Sequence, residues 1–421
     1  MERKTAGSAT NRRNLLKGIG VGGAALTIAS APAKAVSVKT AGSSIPAVPD
    51  ASLEIEPIQS LAPQQTTTAS VGSSPSDRPR YGSDYMVDAL KALDILTVAE
   101  IPGSTFAGLQ ESIINRGMLG DPPMDMLTVT HEEISVSFAH GYAKVAGKPA
   151  AAMVHSTVGL QHAAMAIYNA WCDRAPVMVL AGSLTAPEAR ESWVDWLHAV
   201  SDGPALTRDF TKFDETPRTL SHFADSLMRG YQMAMTRPHG PVVLALDLDL
   251  QEHEIPADAK LPEVRKPRIV QPQGDMAAVK EAAAILAKAE NPVLAVDHTA
   301  HSEAGMALIV ELAELLSAAV IDDSGRMNFP FRHPLNQSTR KGAALRAADV
   351  VLALEVQDME RSTGQAGNAK RISISSYDYY LKSNYQAFEA MPAVDLAIAG
   401  DPVTTLPSLI EAVRAALPRG S

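Results

Sequence analysis

THEEISVSFAHGYAKVAGKPAAAMVHSTVGLQHAAMAIYNAWCDRAPVMVLAG, residues 130–182, decides the fold. Its apolar residues recur at helical spacing over Glu132–Val145 and from Gly159 to about Trp171. Between and after these stretches stand two short apolar runs, Ala150–His155 and Pro176–Ala181. Brief runs with no polar face, separated by helices, are the pattern of strands buried on both sides of a parallel sheet. Working outward, Asp94–Ala99 and Met126–Thr130 read as preceding strands, with a helix over Ser104–Arg116 started by a serine after Pro102-Gly103. Downstream, a helix near Leu220–Met235 leads to a strand at Pro241–Asp247.

Pro256, Pro262, Pro267 and Pro272 then mark a linker. Beyond it a second alternating set follows: helix Met276–Ala289, strand Pro292–Val296, helix Ser302–Ser317, strands Ala318–Ile321, Val350–Leu354 and Arg371–Ser375, and a last helix Thr404–Leu417. The expected fold class is α/β, with two doubly wound, mostly parallel-sheet domains. The expected boundaries are 1–35, 36–80, 81–255, 256–273 as linker, and 274–421.

The first segment reads as an address. Asn11-Arg12-Arg13-Asn14-Leu15-Leu16-Lys17 precedes a weakly apolar stretch rich in small residues, which closes on Ala-x-Ala at Ala31, Ala33 and Ala35. A basic start, short apolar middle and small-residue cleavage site define a secretory signal, and the paired arginines are those of the twin-arginine route, which implies a periplasmic destination. Residues 36–80, rich in Ala, Ser, Thr, Pro and Gln, bury too little to offset chain entropy and read as a tether. With 37 basic against 47 acidic residues, the net charge of −10 argues against nucleic acid as partner. No apolar run reaches the eighteen residues or so of a membrane span. The lone Cys172 excludes an internal disulfide framework and a cysteine-built metal cluster.

Three strand ends carry the chemistry: Ile101-Pro102-Gly103-Ser104, His131-Glu132-Glu133, and His155-Ser156-Thr157-Val158-Gly159. In a parallel sheet these loops share one edge, where ligands bind. Taken alone, Glu132 is also what the first turn of a helix favours, Ser104 is a helix cap, and His155 is a packed strand-end histidine. Trp171 and Cys172 read as core, His239 as turn chemistry, and Trp193, Trp196 and His198 as an amphipathic packing tract.

Taken in order, the His-Glu, Gly-Tyr-Ala, Gly-Lys-Pro, strand, small-residue turn, helix and Pro-strand-Gly elements of residues 130–182 resemble thiamine-diphosphate enzymes of the acetolactate synthase and benzoylformate decarboxylase kind. The later Phe329-Pro330, His333-Pro334-Leu335, Ala348-Asp349-Val350 and Gly400-Asp401 resemble that family's central domain. The resemblance implies a pyrimidine-binding domain over 81–255 and a central domain over 274–421. It implies that Glu132 hydrogen-bonds N1′ of the cofactor's aminopyrimidine and so assists loss of the thiazolium proton. It implies cofactor contacts from Pro102, Gly103, Ser156 and Gly159. Ser104 would meet a substrate carboxylate and His155 would transfer protons, as in the decarboxylase branch, although Gln161 and His162 depart from the relatives after the glycine turn. The substrate implied is a small 2-keto acid, with decarboxylation and carboligation both open.

The family holds its diphosphate through Mg²⁺ with Gly-Asp-Gly and a later Asn in a third domain. Here the Gly-Asp pairs at 120, 274 and 400 are followed by Pro, Met and Pro. The expectation is therefore a homodimer or higher oligomer whose diphosphate half comes from a separate chain. A non-catalytic dimerisation module and a truncated fragment stand as the alternatives. Some relatives hold FAD in the central domain, but no dinucleotide fingerprint supports it here.

Overall fold

The computed structural model describes residues 79–184, 197–323, 325–376 and 393–418, all within one compact unit, Gly72–Ser421. The expected signal, nearly all of the tether, Trp193 and Trp196 lie outside the described residues. Two sheets organise the rest.

The first is built from α1 (Gly82–Ala92), β1 (Thr97–Glu100), α2 (Ala107–Met118), β2 (Asp125–Thr128), α3 (Glu132–Ala146), β3 (Ala151–Val154), α4 (Thr157–Cys172), β4 (Met178–Ser183), β5 (Phe213–Glu215), α5 (Leu220–Met235), β6 (Val242–Asp247) and α6 (Leu248–Glu252). Its strands run in the order β2-β1-β3-β4-β6-β5, each neighbouring pair parallel. The second comprises α7 (Met276–Leu286), β7 (Pro292–Val296), α8 (Glu303–Leu316), β8 (Ala319–Asp322), α9 (Lys341–Ala347), β9 (Val350–Leu354), α10 (Met359–Thr363), β10 (Lys370–Ser375), β11 (Leu396–Ala399) and α11 (Pro402–Ala416). Its order is β11-β10-β9-β7-β8, again parallel throughout. The α/β, doubly wound class is as expected.

The central strands show why they lack a polar face. In β4, Met178 and Leu180 enter one core with Leu90 of α1, Phe106 and Leu227 of α5. The alternate Val179 and Ala181 enter another with Val136 and Ala139 of α3 and Ala163 and Ile167 of α4. Period-two alternation thus feeds two helix layers, and each large aliphatic buried is worth about 1.5–3 kcal/mol. Small residues at 3–4 spacing on α3 and α4 let the two helices lie close together. Gly147 ends α3 in the left-handed region, at φ 66°, where a side chain is disfavoured.

Two departures from expectation have physical causes. Ser104–Phe106 is a tight 3₁₀ turn and the α-helix begins at Ala107, because burial of Thr105 and Phe106 pulls the chain inward. Ser104 does not cap it. Residues 256–273 form neither helix nor strand, yet pack back on the first sheet's core. Val264 is buried there, Tyr85 donates to the Pro262 carbonyl at 2.6 Å, and Lys266 meets Asp94 at 3.0 Å.

The two sheets are joined by buried charge. Arg174 pairs with Glu355 at 2.6 Å, the side chains 5% and 4% exposed. Arg237 meets Asp401 at 2.8 Å, and Arg326 meets Asp173 at 3.2 Å. Burial pushes the Asp173 carboxyl up, but His140, His298, Lys144 and Arg326 around it hold it far below the usual carboxylate range. Removing one member of such a pair strands its partner's charge. Arg174→Met is therefore expected to cost about 3 kcal/mol in denaturant unfolding, and a loss under about 1 kcal/mol would show the pair to be dispensable.

Candidate functional site

Strand order locates the site before any side chain is considered. After β1 the chain crosses to β2 on one side, then returns to place β3 on the other, so the sheet's switch point lies between the carboxyl ends of β1 and β3. That crevice is where doubly wound sheets bind ligands. It is flanked by Ile101-Pro102-Gly103 after β1 and His155-Ser156 after β3, with the N-termini of α3 and α4 beside them.

Glu132 is the first residue of α3 and is 6% exposed. Its Oε2 lies 3.2 Å from Nδ1 of His162, one turn into α4. His131 caps α3, its Nδ1 accepting from the Glu133 amide at 3.2 Å, and its ring stacks on His162 at 4.8 Å. Glu133 is exposed. Ligand atoms of His131, Glu132 and His162 lie within 4.8 Å of one another. The helix's positive end and the cap bond on His131 both work against a cation there.

His155 follows β3. Its Nδ1 lies 2.6 Å from Thr105 Oγ1, its ring stacks on His198 at 4.8 Å, and Phe106 meets it edge-on. Burial and the neighbouring His198 hold the imidazole below its ordinary value, opposed by the pull of Glu132. Gly159 brings these groups together. A Cβ built there would lie 3.0 Å from the Val154 carbonyl carbon, 3.2 Å from His155 Cβ and 3.3 Å from Glu132 Cγ. The glycine lets α4 start against both side chains.

The remaining expected residues divide. Gly103 stands close to the His155 ring, since a Cβ there would lie 3.3 Å from His155 Cγ. Ser156 is buried, but its hydroxyl donates to the His198 carbonyl at 2.6 Å and so holds the following loop. Pro102 and Ser104 are exposed at the rim. Thus Glu132, His155, Ser156, Gly159 and Gly103 converge, while Ser104 sits outside their hydrogen-bond network. Trp171 and Cys172 are half-buried, and burial pushes the Cys172 thiol up. His239 is half-buried, and desolvation together with Arg237 and Lys212 nearby pushes it down to about 3.

Sequence reading missed Thr105 and Glu100, and gave His162 and His198 no role in the site. Fully buried at the end of β1, Glu100 accepts from Thr128 Oγ1 at 3.1 Å through Oε1, while Oε2 has no hydrogen-bond partner among the described residues. Position at a strand's carboxyl end was the available signal. A cavity of about 630 Å³ meets the carboxyl ends of β7 and β8, the loop after β9, and the end of α4. Four aspartates (Asp173, Asp297, Asp323 and Asp358) line it together with Arg361, His140 and His298.

Residues 80–204 match the family described as thiamine pyrophosphate enzyme, N-terminal TPP binding domain, and residues 279–409 match thiamine pyrophosphate enzyme, central domain. A probable acetolactate synthase large subunit of Methanocaldococcus jannaschii is 23% identical over 351 residues, covering 79% of this chain and 56% of that protein. A probable 2-ketoarginine decarboxylase of Pseudomonas aeruginosa is 26% identical over 356 residues, covering 83% and 59%. The chain thus spans somewhat more than half the length of these relatives. The solved benzoylformate decarboxylase of Polynucleobacter necessarius shares the fold, with a TM-score of 0.66 at 22% identity, over 79% of this chain and 61% of its own.

Two outcomes follow from the packing. Gly159→Ala must displace the Val154 backbone or both side chains, and is expected to destabilise by about 1–3 kcal/mol in thermal unfolding. Burial raises the Glu100 carboxyl above its ordinary 4.5, so the folded state favours its protonated form. Stability falls as pH rises from that value through the folded one. Glu100→Gln is expected to raise the melting temperature at pH 7, with the gain shrinking below pH 4.5; a lowered melting temperature at pH 7 contradicts this. By its two matched domains, together more than half its length, the chain belongs to the thiamine pyrophosphate enzymes.

Proposed function

We propose that this chain supplies the pyrimidine side of a thiamine-diphosphate site acting on small 2-keto acids. In this reading, a diphosphate-binding domain on another polypeptide completes the site. The observation that carries it is Glu132: a buried carboxylate at the start of a helix, beside the switch-point crevice, with Gly159 clearing the space next to it. An aminopyrimidine needs such a group, since a water-poor carboxyl can hydrogen-bond a ring nitrogen and share its proton.

When bound, the cofactor supplies an electron sink for the bonding electrons released as a 2-keto acid loses carbon dioxide. The chain's own residues do the rest. Glu132 holds the pyrimidine and accepts or returns its proton. The His155 ring exchanges a hydrogen bond with substrate oxygen, and the buried walls around Gly103 and Gly159 keep water away. Ser104, at the rim, is available to an incoming carboxylate.

Support for a partner comes from what the Gly-Asp pairs do. Asp275 caps α7, accepting from Ala277 and Ala278 at 3.0 Å. Asp401 caps α11 and pairs with Arg237. Asp121 binds Arg116. Each carboxylate is engaged in structure, which supports the reading that another chain holds Mg²⁺ and the diphosphate. Exposed Ile134 and Val145 on α3 and Met165 on α4 support assembly as a homodimer or larger oligomer. Among the described residues no helix is long and apolar enough to cross a membrane. The Asn11–Lys17 run supports export by the twin-arginine route to the periplasm.

Calorimetric titration of thiamine diphosphate and Mg²⁺ into this chain, alone and with a polypeptide bearing Gly-Asp-Gly and a later Asn, tests the reading. Binding is expected with the pair, together with turnover of pyruvate or benzoylformate. Glu132→Gln is expected to lower turnover by about 10²-fold or more. No binding by the pair at millimolar cofactor would overturn the proposal in favour of a non-catalytic module.

A further inference from the structure

Thr105 lies at the bottom of the β1–α2 connection, 1% exposed, in the 3₁₀ turn between Gly103 and α2. Considerable local structure holds it. A Cβ at Gly182 of β4 would fall 2.0 Å from Thr105 Oγ1, so that glycine gives the hydroxyl its space. Fully buried Gln251 of α6 donates from Nε2 to the Thr105 carbonyl at 3.0 Å and accepts the Leu109 amide through Oε1. Two segments distant in sequence, β4 and α6, therefore hold this residue in place.

That hydroxyl is 2.6 Å from His155 Nδ1. The Ser156 amide, which can only donate, lies 3.2 Å from Thr105 Oγ1 and 3.2 Å from His155 Nδ1. A proton on Nδ1 would be directed at the Thr105 oxygen beside that amide hydrogen, and the threonine proton would lose its nearest acceptor. With Nδ1 unprotonated, both hydrogens find a lone pair: the Ser156 N–H is shared, and Thr105 O–H donates to the ring. In a neutral imidazole the remaining proton is then on Nε2.

We infer that Thr105 is a positioning residue that fixes His155 as its Nε2–H tautomer, so that the ring presents a donor edge to the crevice between β1 and β3. Resting on the keto-acid reading above, this deepens it: His155 enters as a hydrogen-bond donor to a carboxylate or carbonyl oxygen, and recovers its proton on the same nitrogen. The stack on His198 and the edge contact with Phe106 keep the ring from flipping its two nitrogens.

The test uses the full chain labelled with ¹⁵N-histidine, with His155 assigned through His155→Gln. Long-range ¹H–¹⁵N correlation at pH 7.5 is expected to show an unprotonated Nδ1 and a protonated Nε2. Thr105→Ser, which keeps the hydroxyl, is expected to retain that spectrum, and Thr105→Val to move His155 toward mixed tautomers. In the pair assembled with the diphosphate-binding chain, Thr105→Val should lower kcat by on the order of tenfold with KM little changed, and Thr105→Ser should restore it. An Nδ1–H signal in the unsubstituted chain overturns the inference, as does Thr105→Val with an unchanged spectrum or Thr105→Ser as impaired as Thr105→Val. The spectra need no turnover. The stated tautomer without keto-acid activity would count against the function and leave the role of Thr105 standing.

Discussion

Close backbone approach at two glycines is the constraint on which the carboxyl edge of the first sheet depends. At Gly159 the start of α4 lies against Val154, His155 and Glu132; at Gly182, β4 lies against Thr105. A methyl group at Gly182 would overlap Thr105, and one at Gly159 would press on all three of its neighbours. With both contacts in place, the carboxylate of α3, the imidazole after β3 and the hydroxyl after β1 occupy one small volume, although they come from three connections of the chain. The switch-point order β2-β1-β3 supplies the crevice, and the glycines let it be lined at short range.

Burial then sets the chemistry. The same apolar surroundings that disfavour charge on His155 make it a neutral hydrogen-bonding group, and the bonds at Nδ1 choose which nitrogen holds the proton. Glu132, by contrast, stands at the first turn of α3 with His162 3.2 Å away. One acidic and one neutral group thus stand on either side of Gly159. Among the described residues, the side chains placed at this crevice all come from the first sheet's half of the chain. The second sheet's role among the described residues is structural, through the buried Arg174–Glu355 and Arg237–Asp401 pairs.

Much of this was legible in sequence because the governing signals are local. Continuous apolar runs such as Pro292–Val296 and Val350–Leu354 coincide with strands to the residue, since burial on both faces leaves no room for a polar position. The helix Leu220–Met235 is likewise found at its expected bounds. What escaped was short or long-range. Strands β5 and β11, three and four residues at sheet edges, offer too few positions for a pattern. Helix α1 opens with Gly82, Ser83 and Asp84, poor helix formers, and its buried face over Tyr85–Leu90 shows only against the core. Thr105 and His155 are fifty positions apart, and no periodicity joins them. The decarboxylase-like Pro-Gly-Ser drew attention to Ser104, whereas the fold buries its neighbour.

The decisive measurement is a crystal structure of this chain with a polypeptide bearing Gly-Asp-Gly and a later Asn, thiamine diphosphate and Mg²⁺. The aminopyrimidine is expected in the crevice between β1 and β3, with its ring nitrogen hydrogen-bonded to the Glu132 carboxylate and the metal held entirely by the other chain. Density for the cofactor away from Glu132, or metal ligands drawn from this chain, would contradict it.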